Sequence, residues 1–324
     1  MTQKALRLGT RRSMLAMAQS GQVADAVRQL TGRPVELVEI TTYGDTSREH
    51  LAQIGGTGVF VTALRDALLS GEVDFAVHSL KDLPTEQPAD LALAAVPVRE
   101  DARDVLVARD GLTLTELAAA AQGRPVRIGT GSPRRESQLN AYARSHGLAV
   151  ETVPIRGNID TRIGFAHRGE LDAVVLAAAG LNRIGRIGEV TEFLPVDTML
   201  PAPGQGALAI ECPAADAELA AALAELDDPY TRVAVTAERS LLAALEAGCS
   251  APVGAYADLL ADGQVVHEMR LRGVVGTTDG STLVQLSITG PVPASHDEAV
   301  ALGRELAVEM LAKGAAGLMG ERAL

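Results

Sequence analysis

Several residue types are almost missing from this 324-residue sequence. Tryptophan is absent, and there are only four phenylalanines and four tyrosines. A core of Val, Leu, Ile and Ala is therefore expected, and base stacking on aromatic platforms is not. The two cysteines, Cys212 and Cys249, make neither a disulfide framework nor a zinc-ligand spacing, so no metal site is expected. Of the 29 basic residues only Lys4, Lys81 and Lys313 are lysines. Arginine is thus the default cation, which devalues any single arginine and sets Lys81 apart. No uninterrupted apolar run is long enough for a bilayer. Met1–Gly9 is too poor in apolar residues for a signal peptide. Acids outnumber bases, and the net charge of −12 repels nucleic acid and anionic membrane. A cytoplasmic protein acting on small molecules is the expectation.

An apolar share of 47% with 22% charged residues is ordinary for a globular chain. The length exceeds one comfortable core and predicts two or three domains. A repeat supports this. Arg7-Leu8-Gly9-Thr10 returns as Arg127-Ile128-Gly129-Thr130. Each copy is followed by a helical pattern (Met14–Leu30, Arg134–His146) and an apolar segment (Val35–Ile40, Ala149–Ile155). Gly71–Val77 is likewise echoed by Gly169–Val175, both reading as a glycine-ended helix running into a buried strand. Strands alternating with helices predict two α/β domains with mainly parallel sheets, whose ligands sit beyond the carboxyl ends of the strands. Leu200–Gly206 breaks the pattern, and Ala207–Glu211 reads as a strand returning to the first domain. After Asp228-Pro229 comes a small α+β domain. It comprises a helix over Tyr230–Ala247, a hairpin of Val265–Val275 with Thr282–Thr289 around the Thr277–Gly280 turn, and a helix over Asp297–Lys313. The expected boundaries are 1–98 with 201–224, 99–200, and 225–324.

The chemistry gathers where the copies turn from strand to helix. Ser13 and Ser132 are candidate N-caps, and Pro133 suits a first helical position. Arg11, Arg12, Arg134 and Arg135 crowd the same two places, where helix N-termini already favour anions. Either the pairs are solvated helix starts in an Arg-biased chain, or a bound carboxylate or phosphate relieves their repulsion. From Arg124 to Arg168 eight arginines stand against three acids, and Arg156 and Arg162 flank a strand-to-helix junction. No Walker-type pattern is present, so carboxylates fit better than a nucleotide. The matched strand ends differ. The first runs into His78-Ser79-Leu80-Lys81-Asp82-Leu83-Pro84, the second into Leu176-Ala177-Ala178-Ala179-Gly180. Lys81 and Asp82 are either a structural ion pair before Pro84 or a charged site for moving protons and stabilising positive charge. His78 reads as a strand-end packing residue. Cys249, between Gly248 and Ser250, lies in a loop whose small neighbours leave its sulfur approachable, and Cys212 ends an apolar strand.

Together, Gly9–Ser13, Gly55–Phe60, Ala76–Pro84, Gly129–Arg135, Arg156–Arg162, Leu200–Glu211 and Gly248–Cys249 resemble the porphobilinogen deaminase (hydroxymethylbilane synthase) family along nearly the whole chain. The resemblance implies two periplasmic-binding-protein-like domains plus the small third one. It implies a dipyrromethane cofactor joined by a thioether to Cys249, one per chain. It implies a monomeric enzyme condensing four porphobilinogens, with loss of ammonia, into 1-hydroxymethylbilane for haem biosynthesis. By position Asp82 is then the catalytic carboxylate and Lys81 its neighbour. Ser79, Thr130, Ser132, Arg134 and Arg135 join Lys81 and Asp82 on the cofactor, while Arg11, Ser13, Arg156 and Arg162 take substrate acetates and propionates. Many relatives carry lysine where Thr57 and Thr62 stand, so any lysine role there is in doubt. Thr41–Gly58 reads as a lid. The rival is a non-catalytic two-lobed binding protein, which explains the duplicated halves and the arginines but gives Lys81-Asp82 and Cys249 no task.

Overall fold

A computed structural model describes residues 4–40, 58–246, 251–262 and 265–319. In chain order the first stretch holds β1 (Leu6–Thr10), α1 (Met14–Thr31), β2 (Val35–Glu39), α2 (Gly58–Leu69), β3 (Phe75–Ser79) and β4 (Leu91–Ala95). Next come β5 (Asp104–Ala108), α3 (Leu114–Ala120), β6 (Val126–Thr130), α4 (Pro133–His146), β7 (Val150–Pro154), α5 (Ile159–His167), β8 (Ala173–Ala177), α6 (Ala178–Arg183) and β9 (Glu192–Phe193). The chain ends with β10 (Leu208–Pro213), α7 (Ala217–Ala224), α8 (Pro229–Ala244), β11 (Val253–Asp262), β12 (Val265–Gly276), β13 (Leu283–Pro291) and α9 (His296–Ala312).

These build three sheets: β2-β1-β3-β10-β4, β7-β6-β8-β5-β9 and β11-β12-β13. The two larger sheets are the same object built twice. In each, three parallel strands are followed by one antiparallel strand, β10 or β5. The register repeats as well, Leu8 against Phe75 and Gly9 against Ala76 in one, Ile128 against Ala173 and Gly129 against Val174 in the other. Even the locking contacts recur. Asp74 accepts from the Arg7 amide at 2.7 Å, and Asp172 from the Arg127 amide at 2.9 Å. The mixed α/β class with mainly parallel sheets is as expected. The sequence reading missed β4, β5 and β9 in the two larger sheets, and β11, which completes the third sheet beside the anticipated hairpin.

The chain divides into two compact units. The first is Met1–Glu100 with Gly206–Arg232; its core joins Leu8, Phe75 and Ile210 to Val27 and Leu223. The second is Asp101–Gln205 with Val233–Leu324, so the third sheet is packed in the same unit as the second. The tip of the β12–β13 hairpin lies on α4. Asn140 Nδ2 donates to the Thr278 carbonyl at 2.7 Å and Arg144 Nε to that of Asp279 at 3.0 Å. At the tip Gly280 holds φ +67°, and a β-carbon there would stand 2.2 Å from the Ala141 amide nitrogen. Glu238, buried on α8, accepts from the amides of Gly204 at 2.7 Å and Ala257 at 2.9 Å, tying the 200–205 loop to β11. Among the described residues no helix is long and apolar enough to cross a membrane.

Candidate active site

Each unit carries its own group of the expected residues. In the first, β1 ends at Thr10 and Ser13 caps α1, its hydroxyl accepting from the Ala16 amide at 3.3 Å. That oxygen is therefore spent on the helix. Arg11 is half-buried and engaged, and Arg12 is exposed. Strand β3 is buried through His78 and ends at Ser79, whose hydroxyl accepts from Gln19 Nε2 at 3.0 Å. A single 3-10 turn, Leu80–Asp82, follows. Leu80 and Leu83, at 0% and 2% exposure, pin this turn from both sides and leave Lys81 and Asp82 half-buried. The Asp82 carboxylate has no ion-pair or hydrogen-bond partner among the described residues. The alternative of a structural Lys81–Asp82 pair is thus not what the turn holds.

His78 does more than pack. Its Nε2 lies 3.1 Å from Oε2 of Glu211, a fully buried residue on β10. Glu211 also accepts from Arg65 Nε and Nη2, at 3.1 and 2.8 Å, and from Gln87 Nε2 at 3.1 Å. Burial pushes the Glu211 carboxyl up, but the neighbouring His78 and Arg65 outweigh it and hold it down at about 2. Neither Glu211 nor its role was legible from sequence, because Arg65 and His78 meet it only through the sheet. Cys212 beside it is buried, and burial pushes its thiol up to about 11, as suits an inert core sulfur.

In the second unit Thr130 ends β6 and its hydroxyl accepts from the Ser132 amide at 3.2 Å. Ser132 stands at the N-cap of α4, yet its side chain makes no capping bond. Unlike Ser13, it keeps its hydroxyl for other partners. Arg134 and Arg135 are 4% and 5% exposed, so they are not a solvated helix start. The expectation that a ligand relieves their repulsion needs correction: a protein carboxylate does much of it. Asp104, fully buried at the head of β5, accepts from Arg134 Nη1 at 2.7 Å and from Arg135 Nη2 at 2.8 Å. Burial raises its carboxyl, and the two guanidinium charges reverse this and hold it well below the usual carboxylate range.

The arginine excess between Arg124 and Arg168 is similarly reduced by acids outside that window. Asp172 takes Arg124 at 2.7 Å and Arg109 at 2.8 Å, and it is held at about 2 chiefly by the Arg124 bond. Arg168 pairs with Glu170, and Arg144 lies 3.9 Å from Asp279. The two expected substrate arginines of this unit stand around the end of β7 and on α5. Arg156 is exposed just past β7, and Arg162 is half-buried on α5 with Nε donating to the Gly157 carbonyl at 2.8 Å. Thr62 lies on α2. Cys249 and the expected lid over Thr41–Gly58, Thr57 included, lie outside the described residues save for Gly58 itself.

Comparison with known proteins gives the same answer over the whole chain. Residues 6–221 match the model of the porphobilinogen deaminase dipyrromethane cofactor binding domain, and residues 232–312 that of the porphobilinogen deaminase C-terminal domain. Porphobilinogen deaminase 1 of Streptomyces avermitilis is 85% identical over 322 residues, covering 99% of each chain. Its counterpart in Streptomyces coelicolor is 80% identical over 323 residues, covering 100% of each. Among solved structures, the BenM effector binding domain with its effector benzoate aligns at TM-score 0.40 and 15% identity, over 70% of this chain and 91% of that one.

Proposed function

The chain belongs to the porphobilinogen deaminase family, and on that premise we propose which of its residues carry each part of the reaction. The overall activity follows from the family: four porphobilinogen molecules are condensed, with release of ammonia, into the linear tetrapyrrole 1-hydroxymethylbilane of porphyrin and haem biosynthesis. The family's cofactor is a dipyrromethane.

One observation carries the assignment of the chemistry. Two strands of equal register, β3 and β8, end differently: the first in Ser79 and the Lys81-Asp82 turn, the second in Ala177–Gly180. Only the first offers charge where the ligands of such sheets bind. Loss of ammonia leaves a cation at the substrate's methylene carbon. The fixed Asp82 carboxylate, without a partner among the described residues, stabilises that cation, and it does so electrostatically without reorganising at the moment of reaction. Asp82 is the catalytic residue in this reading, and Lys81 and Ser79 hold carboxylates beside it.

The residues of the second unit fit a carboxylated cofactor. Two guanidiniums there face one carboxylate, and the buried Nε of Arg134 has no hydrogen-bond partner among the described residues. When bound, the dipyrromethane supplies the pyrrole carbon on which the chain grows. Thr130, Ser132 and Arg134 hold its acid side chains by charge-assisted hydrogen bonds, while Arg135, expected on the cofactor as well, is anchored to Asp104 beside them. Cys249 holds it covalently, since Cys212 is buried in β10. Arg11, Ser13, Arg156 and Arg162 orient the carboxylates of arriving substrate. Ser13 can do so only by sharing its capping oxygen. The expected working form is a cytoplasmic monomer with no nucleic-acid or membrane partner, in keeping with the charge of −12.

Purified protein should turn porphobilinogen into hydroxymethylbilane and show an intact mass above that of the bare chain. Active material with the bare mass would overturn the covalent cofactor. A carboxylate-binding protein without turnover would restore the two-lobed binding protein.

A further inference from the structure

Consecutive arginines at a helix start are expected to behave alike, and Arg134 and Arg135 do not. Oδ1 of Asp104 accepts from Nε and Nη2 of Arg135 at 3.1 and 2.8 Å, and from Gln205 Nε2 at 2.8 Å. The Nε–Nη2 edge of Arg135 is thereby closed, and its Nη1 donates to the Val175 carbonyl at 2.9 Å. Arg134 meets the same aspartate by its other side. Only Nη1 is used, donating to Oδ2 at 2.7 Å and to the Leu200 carbonyl at 2.6 Å. Its Nε is buried with no hydrogen-bond partner. A buried N–H left unmade is costly, and here it belongs to a charged fork built to grip a carboxylate through Nε and Nη2.

The charge count agrees. Two guanidiniums at 4% and 5% exposure share one carboxylate at 0%, so the buried cluster is one negative charge short. The internal repeat shows why the aspartate is there. Asp104 pairs with Ala177, the last residue of β8, and Leu208 of β10 pairs with Ser79, the last residue of β3. The first copy thus has leucine in the aspartate's place. It also has Leu15 and Ala16 where the second has Arg134 and Arg135, counting from the caps Ser13 and Ser132. Acid and arginines are present together or absent together.

We propose that Asp104 is a positioning residue of the cofactor site: by closing Arg135 and one nitrogen of Arg134, it holds the Nε–Nη2 edge of Arg134 open for one carboxylate of the cofactor. This rests on the reading that these arginines hold the cofactor. It has a consequence that simple loss of a contact does not. With Arg135 gone, Asp104 has one guanidinium left and draws the open edge of Arg134 onto itself. Removing the charge of Asp104 as well sets that edge free again.

The test loads apo-protein with porphobilinogen, and separately with preformed hydroxymethylbilane, and reads the intact-mass adduct beside the thermal midpoint. Arg134→Gln and Arg135→Gln should each slow adduct formation at least tenfold. Arg135→Gln combined with Asp104→Asn should recover at least tenfold over Arg135→Gln alone, whereas Arg134→Gln combined with Asp104→Asn should not recover. A folded Arg135→Gln/Asp104→Asn protein that loads no faster than Arg135→Gln overturns the proposal. Should that double variant fail to melt cooperatively, Asp104→Glu decides. It keeps the charge and lengthens the arm, so it must load more slowly than wild type, and wild-type loading would sink the idea. If both single arginine variants load at the wild-type rate, the assignment of the arginines to the cofactor falls as well, an outcome distinct from failed rescue.

Discussion

His78 Nε2 and Glu211 Oε2 lie 3.1 Å apart on neighbouring antiparallel strands of the first sheet. The histidine is the residue before Ser79 and four before Asp82, so Glu211 braces the strand that delivers the proposed catalytic turn. Its carboxyl stands at about 2 rather than the ordinary 4.5. A lowered folded value contributes stability that is full above the unfolded pKa and is lost as pH falls through the folded one. The contribution is on the order of 3 kcal/mol. Thermal midpoints of wild type should therefore fall between about pH 5 and pH 2. Glu211→Gln should melt lower at pH 7 and show a shallower acid slope; an unchanged slope would remove Glu211 from acid unfolding.

Asp82→Asn should keep fold and shape while turnover falls by about 10²–10³. Asp82→Glu keeps the charge but displaces it, so its residual rate should exceed that of the Asn form. Both must be compared as cofactor-loaded protein, prepared with preformed hydroxymethylbilane. Single-turnover ammonia release from loaded Asp82→Asn at near wild-type speed would make Asp82 a positioning residue only.

The two cysteines should separate cleanly. Cys249→Ala should fold, carry no adduct and show no turnover. Cys212→Ala should keep both adduct and turnover, and lose stability by about 1 kcal/mol for the packing removed from a fully buried site. Intact mass and melting curves of the two variants decide it, and the reverse pattern would put the anchor on the wrong sulfur.

Gly280 should tolerate no side chain. Its φ of +67° and the 2.2 Å approach to the Ala141 nitrogen predict that Gly280→Ala costs about 2–5 kcal/mol. Gly290, on the same hairpin, has open space around it, and Gly290→Ala should change stability by less than about 0.5 kcal/mol. Equal melting of the two would mean that the hairpin tip does not bear on α4.

The duplicated halves were legible because their signal is local. Gly9 and Gly129 end short apolar runs, where a β-carbon would meet Val73 at 3.0 Å or Leu171 at 2.7 Å, so the packing that demands glycine also leaves a readable mark. Strand β11 was not legible. Val253–Asp262 holds three alanines, two aspartates and a glycine, whose strand preference is weak, and its burial does not alternate cleanly. The size of the charge excess was overstated for a different cause. Counting from Arg124 to Arg168 leaves out Asp104, which lies 30 residues before Arg134 in the chain, and Asp172, which lies just past the end. Both neutralise arginines through strand pairing that a linear window does not contain. The Lys81-Asp82 turn stood out because the second copy offered a blank against which to read it.

The shared unit of the second and third sheets has a consequence for how strongly each pyrrole must be held. α8 beyond Arg232 and β11 flank residues 247–250 in sequence, and both belong to the unit that contains Arg134. If Cys249 is the anchor, as proposed, a group tethered there meets Arg134 as an intramolecular partner, at an effective concentration in roughly the millimolar range. A carboxylate contact too weak to retain a free pyrrole suffices to orient a tethered one. That advantage thins with every ring added, because the growing end samples a larger volume around its tether. Grip on the later rings must then come from direct contacts such as those proposed for Arg11 and Arg156, whose affinity the tether no longer amplifies.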